Sequence, residues 1–300
     1  MRYCLAIAVV VGTLAGLPAW SQDSGMTAGG DSRTLGGHRF IVSEFVPTPF
    51  VTTDFTVMTS LGYGSADLGG TTNQLGALSE AMRLQVAVTD WLAVRGGASG
   101  LVLSGIDQDA ALNYGAALGY SLLGGATASW RFDRLRVGGS LDLELDRSYN
   151  FNILSAINAS ILATTVDAST LLSTSNTLTV SAGAQVAYGV SSVLGVFGAM
   201  QVASVSSSGS ASSGDVEAAA GGGVSVDLDP LVHFPIGLLG AYDLLLEFPS
   251  DGSASTTSHQ LSGGVYYTGA PHLQLGVEVR ATLQPNLTIL EGVFGMRYFW

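Results

Sequence analysis

The chain has 300 residues, 47% hydrophobic and only 11% charged, with 40 glycines and 8 prolines. Soluble domains carry about 25% charged residues, so this is the composition of a membrane protein; its mean hydropathy is +0.40. The formal net charge of −12 argues against nucleic acid as a partner.

All 11 basic residues are arginine. Arginine suits buried ion pairs because its planar fork meets a carboxylate in two places, although biased codon usage gives the same count. Residues 1–21 read as a secretory signal peptide. Arg2 supplies the charged start, Leu5 to Leu17 the apolar core, and Ala19-Trp20-Ser21 a small-x-small cleavage site. Cys4, the only cysteine, lies inside it, so the mature chain is expected to have no disulfide and no thiolate chemistry. Beyond this segment no apolar run reaches the roughly 20 residues of a spanning helix. Membrane composition without membrane helices points to a closed barrel, because lipid leaves no backbone N–H or C=O unpaired.

Residues 22–49 begin polar and Gly-rich and turn apolar at "HRFIVSEFVP". They are either a periplasmic tether or a plug folded into a barrel lumen, with Phe40, Ile41, Val42 and Phe45 packing inside.

Residues 50–300 alternate apolar and polar side chains in segment after segment, which is the period of a strand with two unlike faces. The first strand is expected near 50–63, with Phe55, Val57, Leu61 and Tyr63 on one face. The next, near 77–88, sets Met82, Leu84, Val86 and Val88 against Arg83 and Gln85. Near 91–103, Leu92, Val94 and Val102 oppose Arg95 and Ser99. A long segment near 112–132 keeps one parity from Leu112 to Phe132, with Arg131 on the other face. The clearest pattern is 134–148, where Leu135, Val137, Leu141, Leu143 and Leu145 alternate with Arg136, Asp142, Glu144 and Asp146. Further strands are expected near 177–188, 193–205, 215–228 (with Glu217), 235–248 (Asp243 and Glu247) and 257–268. The last two lie near 272–283, with Glu278 and Arg280, and 287–300, with Glu291 and Arg297.

The expected fold is therefore all-β: a closed antiparallel transmembrane β-barrel of about 12 strands, apolar face to lipid and polar face to the lumen. Short links ("TD", "DR", "GVSS", "DPLVHF", "GAPH") alternate with mostly longer ones: "GSADLGGTTNQ", the stretch after Arg147, "SSSGSASSG" and "PSDGSASTTS". "QPN" is the one short link on the long side. Outer-membrane barrels have this asymmetry, with short periplasmic turns and longer outside loops.

The closing stretch Leu290-x-Gly292-x-Phe294-x-Met296-x-Tyr298-x-Trp300 resembles the C-terminal assembly signal of bacterial outer-membrane β-barrel proteins. The resemblance implies outer-membrane lipid and the barrel-assembly machinery as partners, with Phe294, Met296, Tyr298 and Trp300 as the signal. "VTDWLAV" and "WRFDRLRV" look like the turns of small diffusion-channel or transporter-type barrels, including those tied to uptake of aromatic hydrocarbons. Autotransporter translocators have a similar strand number but normally carry a large passenger.

The set Arg83, Arg95, Arg131, Arg136, Asp142, Glu144, Asp146, Glu217, Asp243, Glu247, Glu278, Arg280, Glu291 and Arg297 is expected to face the lumen. It is either a pore lining that sets solute preference or a salt-bridged filling that holds the barrel shut. Passive passage of small solutes is the expected function, with a plugged structural or adhesion-type barrel as the alternative.

No enzyme is expected. Of the histidines, His38 falls in the N-terminal segment, His233 and His272 in short turns, and His259 near the outer rim beside Asp251 and Ser258 but with lipid-facing parity. There is no P-loop, His-x-x-x-His pair or EF-hand loop, so neither cofactor nor metal is expected.

Overall fold

In a computed structural model of the protein, the described residues are 32–68, 71–105, 116–151, 172–208, 214–250, 253–284 and 287–300. The expected signal peptide and residues 22–31 lie outside them.

Two short strands come first, β1 (Thr34–Leu35) and β2 (His38–Arg39), paired antiparallel. Gly36 and Gly37 join them at φ 57° and 87°, a left-handed turn that glycine adopts without Cβ strain. Twelve long strands follow and close on themselves. They are β3 (Asp54–Leu68), β4 (Thr71–Ala87), β5 (Leu92–Gly105), β6 (Ala116–Phe132), β7 (Leu135–Phe151) and β8 (Leu172–Gly189). The second half is β9 (Leu194–Ser207), β10 (Asp215–Asp227), β11 (Ile236–Phe248), β12 (Thr256–Ala270), β13 (Leu273–Gln284) and β14 (Leu287–Phe299). Each pairs antiparallel with its chain neighbour, and β14 closes the ring on β3 from Leu287↔Ala66 to Phe299↔Asp54. Closure removes every edge, which lipid requires. A one-turn helix, α1 (Asp229–Val232), bridges β10 and β11.

The alternation in the sequence becomes the inside and outside of the wall. Leu141, Leu143 and Leu145 of β7 are 60%, 46% and 48% exposed, which is possible for leucine only on a face that meets lipid. Asp142 and Glu144 between them border the central cavity. At the short-turn end an exposed aromatic girdle carries Trp91, Trp130, Phe132, Tyr188, Tyr267, Tyr298 and Trp300. Trp91 stacks on Trp130 with centroids 6.4 Å apart, and Tyr298 lies 5.7 Å from Trp300. Amphipathic rings favour this level of a bilayer.

Several boundaries differ from the expectation. The expected long link at 64–74 is mostly strand, since the β3–β4 ladder continues to Leu68↔Thr71. Its Gly and Ser residues thin the side chains without breaking the backbone pairing. β8 begins at Leu172, five residues before the expected start at 177, and the ladder to β7 runs back to Phe151↔Leu172. What is left of the stretch after Arg147 lies mostly outside the described residues. The first barrel strand starts at Asp54, not 50, because Phe50 and Val51 are buried with the segment that precedes the barrel.

Candidate functional site

The part of that segment the structure describes packs against the barrel wall. Residues 32–53 occupy the lumen at its short-turn end. Leu35, Phe40, Ile41, Val42, Val46 and Phe50 form one buried cluster with wall residues Ala187, Phe197, Leu239, Ala241, Tyr266 and Phe299. Phe45, expected inside, is only partly buried and lies under the Arg280 guanidinium, 4.1 Å from its centroid.

The wall is shaped for this guest. Cβ atoms added at inward-facing Gly195 and Gly237 would strike Phe40 and His38 in the first case and Ile41 in the second. At Gly189 the obstacle is the Leu35 backbone, and at Gly138 the wall itself with Pro49 close behind. Close approach of another element is a main reason for glycine inside a strand.

Polar groups fix the plug in register. Glu278, only 1% exposed, accepts hydrogen bonds from Ser43 Oγ (2.9 Å), the Glu44 N–H (3.0 Å) and Tyr266 OH (2.6 Å). Gln274 reads the Val42 backbone twice, accepting from its N–H at 3.0 Å and donating to its C=O at 2.7 Å. Ser225 Oγ accepts from the Ile41 N–H at 3.0 Å and sits 3.1 Å from His38 Nε2. Gln85 donates to the Phe50 carbonyl at 3.0 Å. Arg136 donates to Ser129 Oγ at 2.8 Å and to the Ser32 carbonyl at 2.8 Å. At the tip of the plug, Arg297 pairs with Glu44 at 2.8 Å, with Asp54 at 3.7 Å, and donates to Thr56 Oγ1 at 2.8 Å.

Two plug groups are shifted by this environment. Burial pushes the Glu44 carboxyl above its ordinary value, against the pull of the Arg297 and Arg83 guanidiniums. Burial also holds the His38 imidazole below its ordinary value, which Asp227 opposes and Arg39 reinforces. His38 is thus a neutral ring inside the wall.

Beyond the plug the lumen opens into a cavity of about 420 Å³. Its floor is the plug from Val42 to Thr52, and its wall includes Arg83, Arg95, Asp142, Glu144, Glu217 and Arg297. Arg95 grips Asp142 in a two-point contact, Nε–Oδ1 2.7 Å and a second bond to Oδ2 at 2.5 Å, and donates to Thr127 at 2.9 Å. Arg280 pairs with Glu291 at 2.6 Å. Among the described residues, Arg83, Glu144, Asp146, Glu217, Asp243 and Glu247 make no direct ion pair. Asp243 lies over inward Gly221, where a Cβ would strike its carboxylate.

The expected lumen set therefore divides. Arg136, Glu278 and Arg297 are consumed in holding the plug. Arg95 with Asp142 and Arg280 with Glu291 brace the wall. Arg131 departs from the expectation. It has inward parity opposite Arg136, but it lies exposed at the short-turn rim beside the Asp133 carbonyl, because β6 ends one residue later. Phe294, Met296, Tyr298 and Trp300 all point outward and are exposed.

Of the histidines outside the plug, His233 and His272 lie in short-turn connections. His259 points outward with Nδ1 2.8 Å from Tyr242 OH, and Asp251 lies outside the described residues. Among the described residues no cluster of His, Cys, Asp or Glu could hold a metal.

Sequence reading missed Ser225 and Gln274, which look like ordinary strand residues until the plug is in place. It also missed Glu80, whose even number on β4 puts it outward with Met82 and Leu84.

No family model matches the sequence, and no curated protein matches it. Solved structures do resemble it. An outer membrane channel from Pseudomonas putida F1 matches with a TM-score of 0.58 at 15% identity, covering 86% of this chain and 99% of that one. The transport unit of the autotransporter AIDA-I from Escherichia coli gives 0.56 at 12% identity, over 88% and 95% of the two chains. The translocator domain of the autotransporter NalP from Neisseria meningitidis gives 0.54 at 12%, over 86% and 90%. At these identities the likeness is one of fold. Taken with the closed ring of strands, the apolar outer face and the aromatic girdle, it makes this chain an outer-membrane β-barrel protein of the bacterial type.

Proposed function

We propose that the barrel is a route for small solutes, closed at its short-turn end by its own N-terminal segment. The observation that carries this reading is the unequal filling of the lumen. The short-turn half is packed and hydrogen-bonded, while the other half is a cavity of about 420 Å³ lined by charged and apolar groups alike. A barrel whose interior served only to hold it together has no use for unpaired carboxylates around a hollow. Glu144 and Glu217 border that hollow without an ion-pair partner among the described residues, beside Arg83. A solute crossing the barrel meets these groups and then the plug, so the plug is the gate and the cavity its antechamber. Likeness to an outer membrane channel agrees with the reading but reaches only the fold.

A second reading is a permanently plugged structural or adhesion-type barrel. The completeness of the Glu278 and Arg297 contacts favours it. Planar-bilayer recording separates the two. The intact protein should show rare, brief openings, and deletion of residues 32–50 should give steady conductance. A folded deletion variant that never conducts would replace the channel by the plugged barrel.

A further inference from the structure

The lipid-facing side of the barrel carries one charge in an unexpected place. Glu80 is outward and exposed on β4, between Leu78 and Met82, which are outward too. It lies seven residues from the strand end at Ala87. At about 3.3 Å per residue and a tilt near 40°, that is about 18 Å up a belt about 25 Å tall. The other acidic, basic or histidine positions of outward parity whose side chains are described, Arg147 and His259, lie near the long-loop ends of β7 and β12. By the same geometry they stand about 28–30 Å up, at the polar boundary. Glu80 is therefore the one acidic or basic side chain, tyrosines aside, that the apolar belt surrounds among those described.

Its own barrel does not answer it. Glu80 has no ion pair or hydrogen bond among the described residues. Across the ladder stand Thr59 on β3 and Gly100 on β5. Phe294 of β14 lies beyond Thr59, and Leu61 and Leu78 pair one step along. Thr59 offers a hydroxyl at the right level, yet no hydrogen bond joins the two side chains. A polar group inside a membrane is expensive and marks a site whose partner should be sought. Lipid chains offer no donor.

We infer that this face is where two copies of the barrel associate within the membrane, each Glu80 carboxyl hydrogen-bonding Thr59 of the other. The geometry is self-complementary. Thr59 and Glu80 are register partners on adjacent strands, so they lie at nearly the same depth. A twofold axis along the membrane normal, passing between β3 and β4, brings each pair onto its symmetry mate in reverse order, as an isologous contact requires. Gly100 alongside is covered by the outward Tyr120 of β6, so the open flank of the contact is the β3 side, at Thr59 and Leu61. Phe294, Leu61 and Leu78 then pack around the polar centre and exclude lipid. The lumen and the plug take no part, so the inference is independent of the transport reading.

Disulfide trapping in outer-membrane vesicles tests it. Leu61→Cys places a thiol beside the axis, while Val265→Cys places one on β12, away from it. Oxidation should convert Leu61→Cys to a dimer on non-reducing gels and leave Val265→Cys monomeric. Added to Leu61→Cys, Glu80→Leu should cut the dimer at least tenfold, whereas Glu80→Gln, which keeps a hydrogen-bonding head, should retain more than half. If Glu80→Leu lowers the amount of folded barrel, Thr59→Val takes its place with the same expectation. Equal trapping at Leu61 and Val265, no trapping at Leu61, undiminished dimer after removal of the Glu80 and Thr59 polar groups, or a crosslink to a different protein would each overturn the inference.

Discussion

The two halves of the lumen are built from the same strands and obey opposite rules. In the short-turn half the inward positions mix apolar residues with glycine, serine, glutamine and a few charges, and many of them are set against a particular atom of the plug. Gly195 makes room for Phe40, Ser225 meets the Ile41 N–H, and Glu278 gathers Ser43, Glu44 and Tyr266. In the long-loop half the inward positions face a hollow, and Glu144, Asp146, Glu217 and Glu247 stand without ion pairs among the described residues. Buried polar groups are costly unless satisfied, so most of those around the plug are hydrogen-bonded, although His38 Nδ1 and Gln185 Oε1 are not. Groups that meet water are free of that demand, so the second half can carry charge that suits a passing solute instead of the fold.

This contrast makes the largest effect easy to name. Glu278→Ala leaves Ser43 Oγ, the Glu44 N–H and Tyr266 OH without their acceptor in a dry site. Removing one member of such a buried network costs about 3–5 kcal/mol. Glu144→Ala, one wall of the hollow, should cost under about 0.5 kcal/mol. Urea titration of the folded barrel, followed by its faster migration on unheated gels, measures both. Comparable midpoints for the two variants would erase the distinction between the halves.

A somewhat smaller effect is expected where space and not polarity is at stake. Gly195→Val would drive its side chain into Phe40 and His38, whereas a Cβ at lipid-facing Gly292 meets nothing within 4 Å. Overpacking of this kind costs about 1–3 kcal/mol, here enough to unseat the plug without unfolding the barrel. Trypsin should then cut at Arg33 or Arg39 in Gly195→Val and spare Gly292→Val. Protection in both would mean that the plug can shift within its seat.

How much of this was visible beforehand follows from the same division. The outer face was legible because lipid imposes one rule on every strand, so Leu141, Leu143 and Leu145 announce their direction unaided. The glycine-rich stretch at 64–74 misled, because composition there suggests a loop while the β3–β4 ladder is held by backbone bonds that any residue supplies. Phe40, Ile41 and Val42 announced that they needed cover, but not whether the lumen supplied it. That answer sits in the partners, and Gly195, Gly237, Ser225 and Gln274 have meaning only once the plug faces them. Glu80 was overlooked although parity alone would have found it, and it is informative because it breaks the rule its neighbours obey.

Permeation sharpens the comparison from the open side. The acidic row Asp142, Glu144, Asp146 is not uniform, because Arg95 takes Asp142 in its two-point grip. The carboxylates left to act on a solute are Glu144 and Asp146, about 6–7 Å apart by the strand rise over two residues. In protein lacking residues 32–50, Glu144→Gln with Asp146→Asn should lower the preference for cations over anions about twofold to fivefold, with little change in stability. Asp142→Asn should act differently, loosening Arg95 and weakening the wall by about 1 kcal/mol. Reversal potentials in a salt gradient decide the matter, and an unchanged selectivity in the double variant would remove the carboxylates from the solute's path.

The smallest effect is a pH dependence confined to the plug. His38 is buried, edge-on to Phe40 at 4.6 Å, with Nε2 near Ser225 Oγ. Burial holds its imidazole below the ordinary value. The released segment would titrate near the usual pKa of about 6.5. Above that pH the ring is neutral in both states, so it leaves the seating of the plug indifferent to pH. Below it, the released segment binds a proton that the seated one resists, so seating weakens as pH falls from about 6.5 towards the depressed value. Trypsin is slow in acid, so the readout is conductance: openings of the intact protein should become more frequent between pH 7.5 and 5.5. His38→Gln, which removes the titrating group and keeps a polar head near Ser225, should flatten that rise. Glu44, whose carboxyl burial raises, acts in the opposite sense and favours the seat in acid, so a Glu44→Gln background isolates the imidazole: a rise that survives in His38→Gln there would move the sensor to another group, and no rise would remove His38 as the sensor.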